Sequence, residues 1–209
     1  MDREFWLGRW REGRTPFNEG VVNRFLQQFT DRLAGCPRIL VPLCGKTEDL
    51  AYLARDHEVV GIELAESAIQ QFFAEHDIEP ISIMTLSDTL KVYRRAQLTL
   101  IAGDFFATTA EMVGSIDAVY DRAAIVALPA PDRVRYAQHV RRLAPYLRKQ
   151  LLVSVEYPPG SYDGPPFSVP ASEIQTLYPD AKLELLAESP DPRDRADGKM
   201  MEYCYELTF

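Results

Sequence analysis

Residues 38–64 read RILVPLCGKTEDLAYLARDHEVVGIEL, and their hydrophobic pattern decides the fold class. The apolar runs RILVPL and EVVGIEL are typical of buried strands. Between them, Leu50, Leu53 and Ala54 fall on one face of a predicted helix. Because a strand, a helix and a second strand in this order form a right-handed parallel crossover, the stretch predicts a βαβ unit.

The rest of the chain continues this alternation. We expect helices over residues 18–35, 65–76, 131–147 and 171–179, the first of them ending at Gly35. Further strands are expected near residues 90–96, 98–106, 150–157, 182–189 and 200–209, the last two antiparallel to each other, and residues 115–128 should supply a strand and a loop. Residues 158–170, PPGSYDGPPFSVP, predict a stiff loop. Without a repeat or linker, residues 1–209 are predicted to form a single α/β domain.

Composition excludes several classes of function. The net charge of −8 disfavours nucleic-acid binding, which depends on clustered Lys and Arg. Three cysteines without a CxxC pair indicate neither a disulfide framework nor a metal site. The opening residues MDREFWLGRW lack the apolar core of a signal peptide, and no run is long enough to span a membrane. We therefore expect a cytoplasmic monomer with a small-molecule substrate.

The turn after the first strand contains a single glycine. Its Gly45-Lys46-Thr47 resembles the end of a phosphate-binding loop, but the glycine required five positions earlier is Leu40. A dinucleotide fingerprint needs three glycines in six residues, and only Gly45 is present. Because a ribose or a carboxylate needs less backbone wrapping than a pyrophosphate, this turn predicts a ligand without phosphates.

Two acids follow at strand ends. Glu63 lies eighteen positions after Gly45 (63 − 45) and ends the second strand, where a carboxylate can accept from both ribose hydroxyls. Asp104 follows a later core strand, where it can accept from an adenine amino group. The alternatives are a solvated acid for Glu63 and a turn-forming aspartate for Asp104. Together these residues indicate an adenosine ligand without phosphates, and S-adenosylmethionine meets that description.

Three other functions share parts of this pattern. A nicotinamide-dependent dehydrogenase also combines a βαβ unit with an acid after the second strand, and a nucleoside-triphosphate enzyme also uses Gly-Lys-Thr. The missing glycines argue against both. A non-catalytic adenosine sensor stays open at this point.

Five stretches, in order, carry a resemblance to a known family: FWLGRWREGRTPF, PLCGKTEDLAYLA, VVGIELAESAIQQFF, YDRAAIVAL and GPPFSVP. They resemble the thiopurine S-methyltransferase family, including its bacterial members, over nearly the whole chain. The resemblance implies an S-adenosylmethionine-dependent methyltransferase with a doubly wound, mostly parallel seven-stranded sheet. Helices should cover both faces, and the last strand should be antiparallel.

The resemblance also implies the residues that bind the cofactor. Residues 1–20 should form an N-terminal lid, Glu63 should hold the ribose, and Arg122 should lie near the methionyl end and the substrate. The cofactor-binding residues implied are Trp6, Trp10, Phe17, Leu43, Gly45, Glu63, Gly103, Asp104 and Arg122. A tryptophan face beside a sulfonium would add about 0.5 to 2 kcal/mol of cation–π attraction. Trp6 and Trp10 are also spaced as one helical face packed on the domain.

For the substrate, the resemblance implies aromatic or heterocyclic thiols such as thiopurines, with selenium or tellurium species as the alternative. Phe17, Pro166 and Phe167 should form an apolar pocket for a flat ring. An arginine before Gly198 should face the substrate; Arg193 has the better spacing, and Arg195 is its rival. The family often has a histidine where this chain has Asn18, so no role is assigned there.

The expected chemistry is an in-line displacement that needs alignment and no catalytic acid. We expect Arg122 to act in catalysis by favouring the thiolate form of the acceptor, and Asp121 is a candidate to orient its guanidinium. His57, His76 and His139 belong to no motif. Cys44 is expected to be a small buried residue and not a nucleophile.

Overall fold

The computed structural model describes residues 2–193 and 195–209. Within them, seven α-helices, three short 3-10 helices and nine strands are present. The α-helices are α1 (Arg3–Arg11), α2 (Arg24–Phe29), α3 (Glu48–Leu53), α4 (Glu66–Glu75), α5 (Ala110–Val113), α6 (Ala130–Leu143) and α7 (Ala171–Leu177). The 3-10 helices are Thr30–Leu33, Phe105–Ala107 and Ile125–Ala127. The strands are β1 (Arg38–Pro42), β2 (Glu58–Glu63), β3 (Ser82–Ser87), β4 (Leu90–Arg95), β5 (Leu98–Ala102), β6 (Ala118–Arg122), β7 (Lys149–Glu156), β8 (Lys182–Pro190) and β9 (Met201–Thr208).

All nine described strands join one sheet in the order β3-β4-β5-β2-β1-β6-β7-β9-β8. The five strands from β5 to β7 in this order are mutually parallel, and β9 is antiparallel to both β7 and β8. The predicted α/β class with a parallel centre is therefore confirmed, as is the antiparallel last strand.

The predicted count of seven strands is wrong, because a hairpin of β3 and β4 extends the sheet beside β5. All six residues of β3 are exposed. An edge strand of this kind buries little, so its sequence lacks the continuous apolar run that marks a core strand.

The βαβ unit of residues 38–64 has the predicted parallel pairing, with Leu40 opposite Val60. Alternate residues of β1 belong to different halves of the core: Leu40 packs with residues of α5, α6 and α7, whereas Ile39 and Val41 pack with residues of α2, α3 and α4. The sheet is therefore covered by helices on both faces. No helix within residues 2–193 and 195–209 is long and apolar enough to cross a membrane. The cytoplasmic location and the monomeric state stay predictions.

The first predicted core helix is shorter than expected. Residues 18–23 are not helical, and α2 begins at Arg24 because Asn23 caps it: the Asn23 side chain accepts from the Phe25 amide at 3.0 Å. The backbone N–H of Asn23 in turn donates to Asp49 Oδ1 at 2.7 Å. As a consequence, residues 12–23 form a connecting segment between α1 and α2, and this segment reaches the carboxyl ends of the central strands.

Gly61, in the middle of β2, provides a test of the packing between the sheet and α3. A Cβ atom there would lie 2.7 Å from Leu100 Cδ2 and 2.8 Å from Cys44 Sγ. We expect Gly61→Ala to lower the free energy of unfolding by about 1 to 3 kcal/mol, measured by chemical denaturation. Gly8→Ala is the control, because α1 leaves open space around Gly8. Equal denaturation midpoints for the two variants would contradict this packing.

Candidate active site

A cavity of about 380 Å³ lies at the carboxyl ends of β1, β2 and β6. This is the edge where open parallel sheets bind ligands, and the volume lies in the range of about 300 to 1,000 Å³ typical of small-molecule sites. Its wall includes residues of α1, the 12–23 segment, the turns after the three strands and the loop of residues 158–170. The predicted site residues that line it are Trp6, Trp10, Phe17, Leu43, Gly45, Glu63, Arg122, Pro166 and Arg193.

Glu63 connects two of these turns. Its Oε2 accepts from the Gly45 amide at 2.9 Å, and its Oε1 accepts from the Ala65 amide at 2.8 Å. Burial raises the pKa of Glu63, and the backbone amides of Ala65, Gly45 and Leu64 partly offset the shift. A carboxylate has about four acceptor positions, so two remain for donors from a ligand in the cavity.

The lone glycine has a structural reason. Gly45 has a φ of 57°, and a Cβ atom there would lie 3.3 Å from the Trp10 ring. The Gly45 backbone amide therefore points at Glu63, and the absence of a side chain leaves room for the Trp10 indole. Leu43 and Ala123, which follow β1 and β6, also have left-handed φ values of 49° and 61°. Such conformations cost energy for residues other than glycine and are typical of functional sites.

Aromatic side chains form the wall on the α1 side. The Phe17 ring packs edge-on against Trp6 at 5.6 Å and against Trp10 at 5.5 Å between centroids. Trp10 is buried and also packs with Ala65 and Ala68. The two tryptophans thus pack on the same phenylalanine ring and also line the cavity, and their contact with a cofactor stays a prediction. The lid role of residues 1–20 stays a prediction.

Arg122 ends β6 with its side chain only 8% exposed. Its Nη1 donates to the Phe17 carbonyl at 2.7 Å, and its Nη2 lies 2.5 Å from Glu19 Oε1. Burial opposes the charged form, but Glu19, Tyr120 and Asp49 together raise the pKa of Arg122. The guanidinium is therefore a permanent cation in the cavity wall.

The hypothesis that Asp121 orients Arg122 is wrong. Neighbouring residues of a strand point to opposite faces, and Asp121 accepts from the Ile125 amide at 3.1 Å and from the Tyr136 hydroxyl at 2.8 Å. Burial raises the pKa of Asp121 to about 6.

Besides Glu19, a second acid acts on Arg122 through its charge: Asp49, which the sequence analysis missed. It is fully buried and accepts from the Tyr120 hydroxyl at 3.0 Å and from the Asn23 amide. Burial raises the pKa of Asp49, and the Asn23 amide and the Arg122 charge partly offset the shift. In the sequence, Asp49 looks like one of the acids that commonly occupy the first turn of a helix. Only its buried partners, Tyr120 and Asn23, show that it lies beside the cavity.

Arg193 and Arg195 both line the cavity. Arg193 Nη2 donates to Glu202 Oε1 at 2.7 Å, and its Nη1 lies 3.5 Å from Glu19 Oε1. Arg195 Nε donates to Asp191 Oδ2 at 2.7 Å. Arg193 therefore shares a carboxylate with Arg122, and the choice between Arg193 and Arg195 as the substrate-facing residue stays a prediction.

Gly103, Asp104 and Phe167 lie outside this wall. Gly103 lines a second cavity of about 90 Å³, and Leu64 belongs to the walls of both cavities. Asp104 Oδ1 accepts from the Phe106 amide at 2.9 Å, and its Oδ2 lies 3.4 Å from Arg3 Nη1. The Phe167 amide donates to the Val126 carbonyl at 2.6 Å. Their ligand contacts stay predictions.

The cysteine beside the turn and the three histidines are held by packing or by hydrogen bonds within the protein. Cys44 is buried, and burial, together with the Glu63 charge, raises the pKa of its thiol well above the ordinary value. The expectation of a small buried residue is thus confirmed. His57 contacts the Cys36 carbonyl, His76 contacts Glu48, and His139 packs against Phe105. In the described part of the chain, no histidine lines the cavity.

Comparison with known proteins decides the family. The family model described as Thiopurine S-methyltransferase (TPMT) matches residues 1–201. The chain belongs to the thiopurine S-methyltransferase family. A thiopurine S-methyltransferase of Pseudomonas fluorescens is 39% identical, covering 100% of this chain and 97% of its own length. One of Pseudomonas aeruginosa is 45% identical, covering 85% of this chain and 82% of its own length.

A solved structure shares the fold. The 1,6-didemethyltoxoflavin-N1-methyltransferase of Burkholderia thailandensis, with bound 1,6-didemethyltoxoflavin and S-adenosylhomocysteine, has a TM-score of 0.65 at 14% identity. The match covers 99% of this chain and 86% of that chain. The Rossmann-like methyltransferase fold is therefore confirmed.

Membership of the thiopurine S-methyltransferase family confirms an S-adenosylmethionine-dependent methyltransferase and sets aside the dehydrogenase, nucleoside-triphosphate and sensor alternatives. The residues of the cavity fit this cofactor. Glu63 has two acceptor positions left for ribose hydroxyls. Trp10 and Phe17 line the same cavity, and an aromatic face of this kind attracts a cation such as a sulfonium.

Glu63 provides the test of cofactor binding. In Glu63→Gln one acceptor oxygen becomes an amide N–H₂ group, which would oppose a backbone amide and would not accept from a ribose hydroxyl. We expect the Kd for S-adenosylhomocysteine, measured by titration calorimetry, to rise about 10- to 100-fold, the loss expected for charged hydrogen bonds. Glu58→Gln is the control, because Glu58 is exposed at the opposite end of β2. Unchanged affinity in Glu63→Gln would remove the ribose assignment.

Proposed function

We propose that this protein methylates the sulfur of aromatic or heterocyclic thiols such as thiopurines. The observation that carries the proposal is the buried Arg122 guanidinium, which lines the same cavity as the aromatic side chains of α1 and Phe17. Two relatives named thiopurine S-methyltransferase support the same substrate class. A flat ring would pack between the aromatic wall, Tyr162 and Pro166, which all line the cavity.

Bound S-adenosylmethionine would supply an electrophilic methyl group on a sulfonium. The chain's own contribution is then alignment and charge. Alignment of two reactants accounts for about 7 to 11 kcal/mol of barrier reduction in favourable cases. Arg122, a permanent cation, lowers the pKa of a nearby thiol and so increases the fraction of the nucleophilic thiolate.

The proposal assigns each part of the wall a task. Glu63 and Leu43 would hold the nucleoside and methionyl parts, Trp10 and Phe17 would cover them, and Arg122 with Arg193 would hold the acceptor sulfur. In the described part of the chain the cavity wall offers no histidine to act as a base. The thiol proton is therefore expected to leave before methyl transfer, with Arg122 stabilising the anion that remains.

A second candidate substrate class is small selenium or tellurium oxyanions. The observation in its favour is that Arg122 and Arg193 both contact one carboxylate, that of Glu19. A pair of guanidinium groups that binds a carboxylate also suits another small oxyanion.

Methyl transfer from labelled S-adenosylmethionine to a panel of aryl thiols and to selenite tests both candidates. We expect Arg122→Gln to lower kcat/KM for thiols about 100-fold, the size typical of losing one charge-stabilising donor. The loss should be larger for thiols of higher pKa, because these depend more on Arg122 to ionise. Arg142→Gln is the control, since Arg142 is exposed on α6. Full activity of Arg122→Gln on every thiol would remove the role assigned to Arg122, and transfer to selenite alone would overturn the thiol proposal.

A further inference from the structure

Glu19 joins three separate parts of the chain, and the two arginines that it contacts line the cavity. It lies on the 12–23 segment, and its Oε1 is 2.5 Å from Arg122 Nη2 and 3.5 Å from Arg193 Nη1. Arg122 ends β6, whereas Arg193 lies between β8 and β9. One carboxylate oxygen therefore contacts the two arginines that the proposed function assigns to the acceptor sulfur.

The two arginines depend on Glu19 to different degrees. Arg193 also contacts Asp191 Oδ1 at 3.0 Å and Glu202 Oε1 at 2.7 Å, and both of these acids are buried. Among residues 2–193 and 195–209, the other direct partner of Arg122 is the neutral Phe17 carbonyl, while Asp49 acts on it through space. Glu19 is thus the carboxylate that directly pairs the Arg122 charge. An anion is needed at this position, because a buried guanidinium without one is strongly unfavourable.

An anionic acceptor held by Arg122 and Arg193, as the proposed function has it, would need the same guanidinium donors. Guanidinium groups bind carboxylates, thiolates and oxyanions through the same N–H donors, so Glu19 and the acceptor cannot both occupy the face of Arg122 that Glu19 now contacts. Glu19 is attached to the chain and therefore competes at a high effective concentration. A neutral acceptor has no such competitor.

We propose that Glu19 is a specificity-determining residue: it is an internal anion that occupies the site formed by Arg122 and Arg193, and an anionic acceptor must displace it. The inference rests on the proposed function, which puts the acceptor beside Arg122 and Arg193. It adds that this position prefers uncharged acceptors over anionic ones. Glu19 keeps Arg122 paired when no acceptor is bound and lowers the affinity for anionic acceptors relative to uncharged ones of the same shape.

The test measures binding without cofactor and without turnover. The probes are 2-naphthoate, a flat aromatic anion, and 2-naphthamide, an uncharged compound of nearly the same shape, both titrated by calorimetry. We expect Glu19→Gln to bind 2-naphthoate about tenfold more tightly than the unsubstituted protein, because the competing charge is lost. The Kd for 2-naphthamide should change less than twofold.

Glu12→Gln is the matched control, because Glu12 lies at the start of the same segment and pairs with the exposed Arg14. It should leave both Kd values unchanged. If Glu19→Gln leaves the Kd for 2-naphthoate unchanged or raises it, the proposal is overturned. Equal changes for both probes, accompanied by weaker S-adenosylhomocysteine binding, would also overturn it, because Glu19 would then only hold the 12–23 segment in place.

These readouts separate the inference from the proposed function. If Glu19→Gln gains affinity for 2-naphthoate while the protein methylates no thiol, the role of Glu19 is supported and the proposed substrate class is wrong. If thiols are methylated and Glu19→Gln changes the Kd for both probes equally, the proposed substrate class is supported and the role of Glu19 is wrong.

Discussion

The site depends on the two hydrogen bonds that the buried Glu63 carboxylate accepts from the Gly45 and Ala65 amides. These bonds connect the turn after β1 to the turn after β2, and they keep a negative charge at the cavity wall although burial disfavours it. The cost of burying a carboxylate is offset only while both amides point at it. The left-handed conformations of Leu43 and Gly45 are what bring the first of these amides into position.

The same turn places the aromatic wall. Because Gly45 has no side chain, the Trp10 ring can lie against it, and α1 then covers the carboxyl ends of the strands. Phe17 packs on Trp10, and its carbonyl accepts from Arg122, so the segment after α1 is connected to β6 as well. The missing side chain at Gly45 thus leaves room for the Trp10 ring, and through Phe17 the same aromatic surface contacts the buried Arg122.

Much of this arrangement could be predicted from the sequence. The βαβ pattern of residues 38–64 predicted the parallel centre, and the distance from Gly45 to Glu63 predicted an acid beside the turn. What escaped prediction depends on contacts between distant residues. Strand β3 is exposed at an edge and has no periodic core face. Asp49 and Glu19 look like ordinary acids until Tyr120, Asn23 and Arg122 are seen around them. Asp121 was expected to orient the Arg122 guanidinium because the two residues are adjacent in sequence. In a strand, however, adjacent side chains point to opposite faces of the sheet.

The central claim is that the cavity beneath α1 holds an adenosine-bearing cofactor whose ribose is bound by Glu63. A crystal structure of the protein with S-adenosylhomocysteine tests it most directly. The account predicts both ribose hydroxyls within about 3 Å of the Glu63 carboxylate, a hydrogen-bonding distance, with the Trp10 ring beside the methionyl sulfur. Density for the nucleoside in any other place, or a ribose that makes no contact with Glu63, would contradict it.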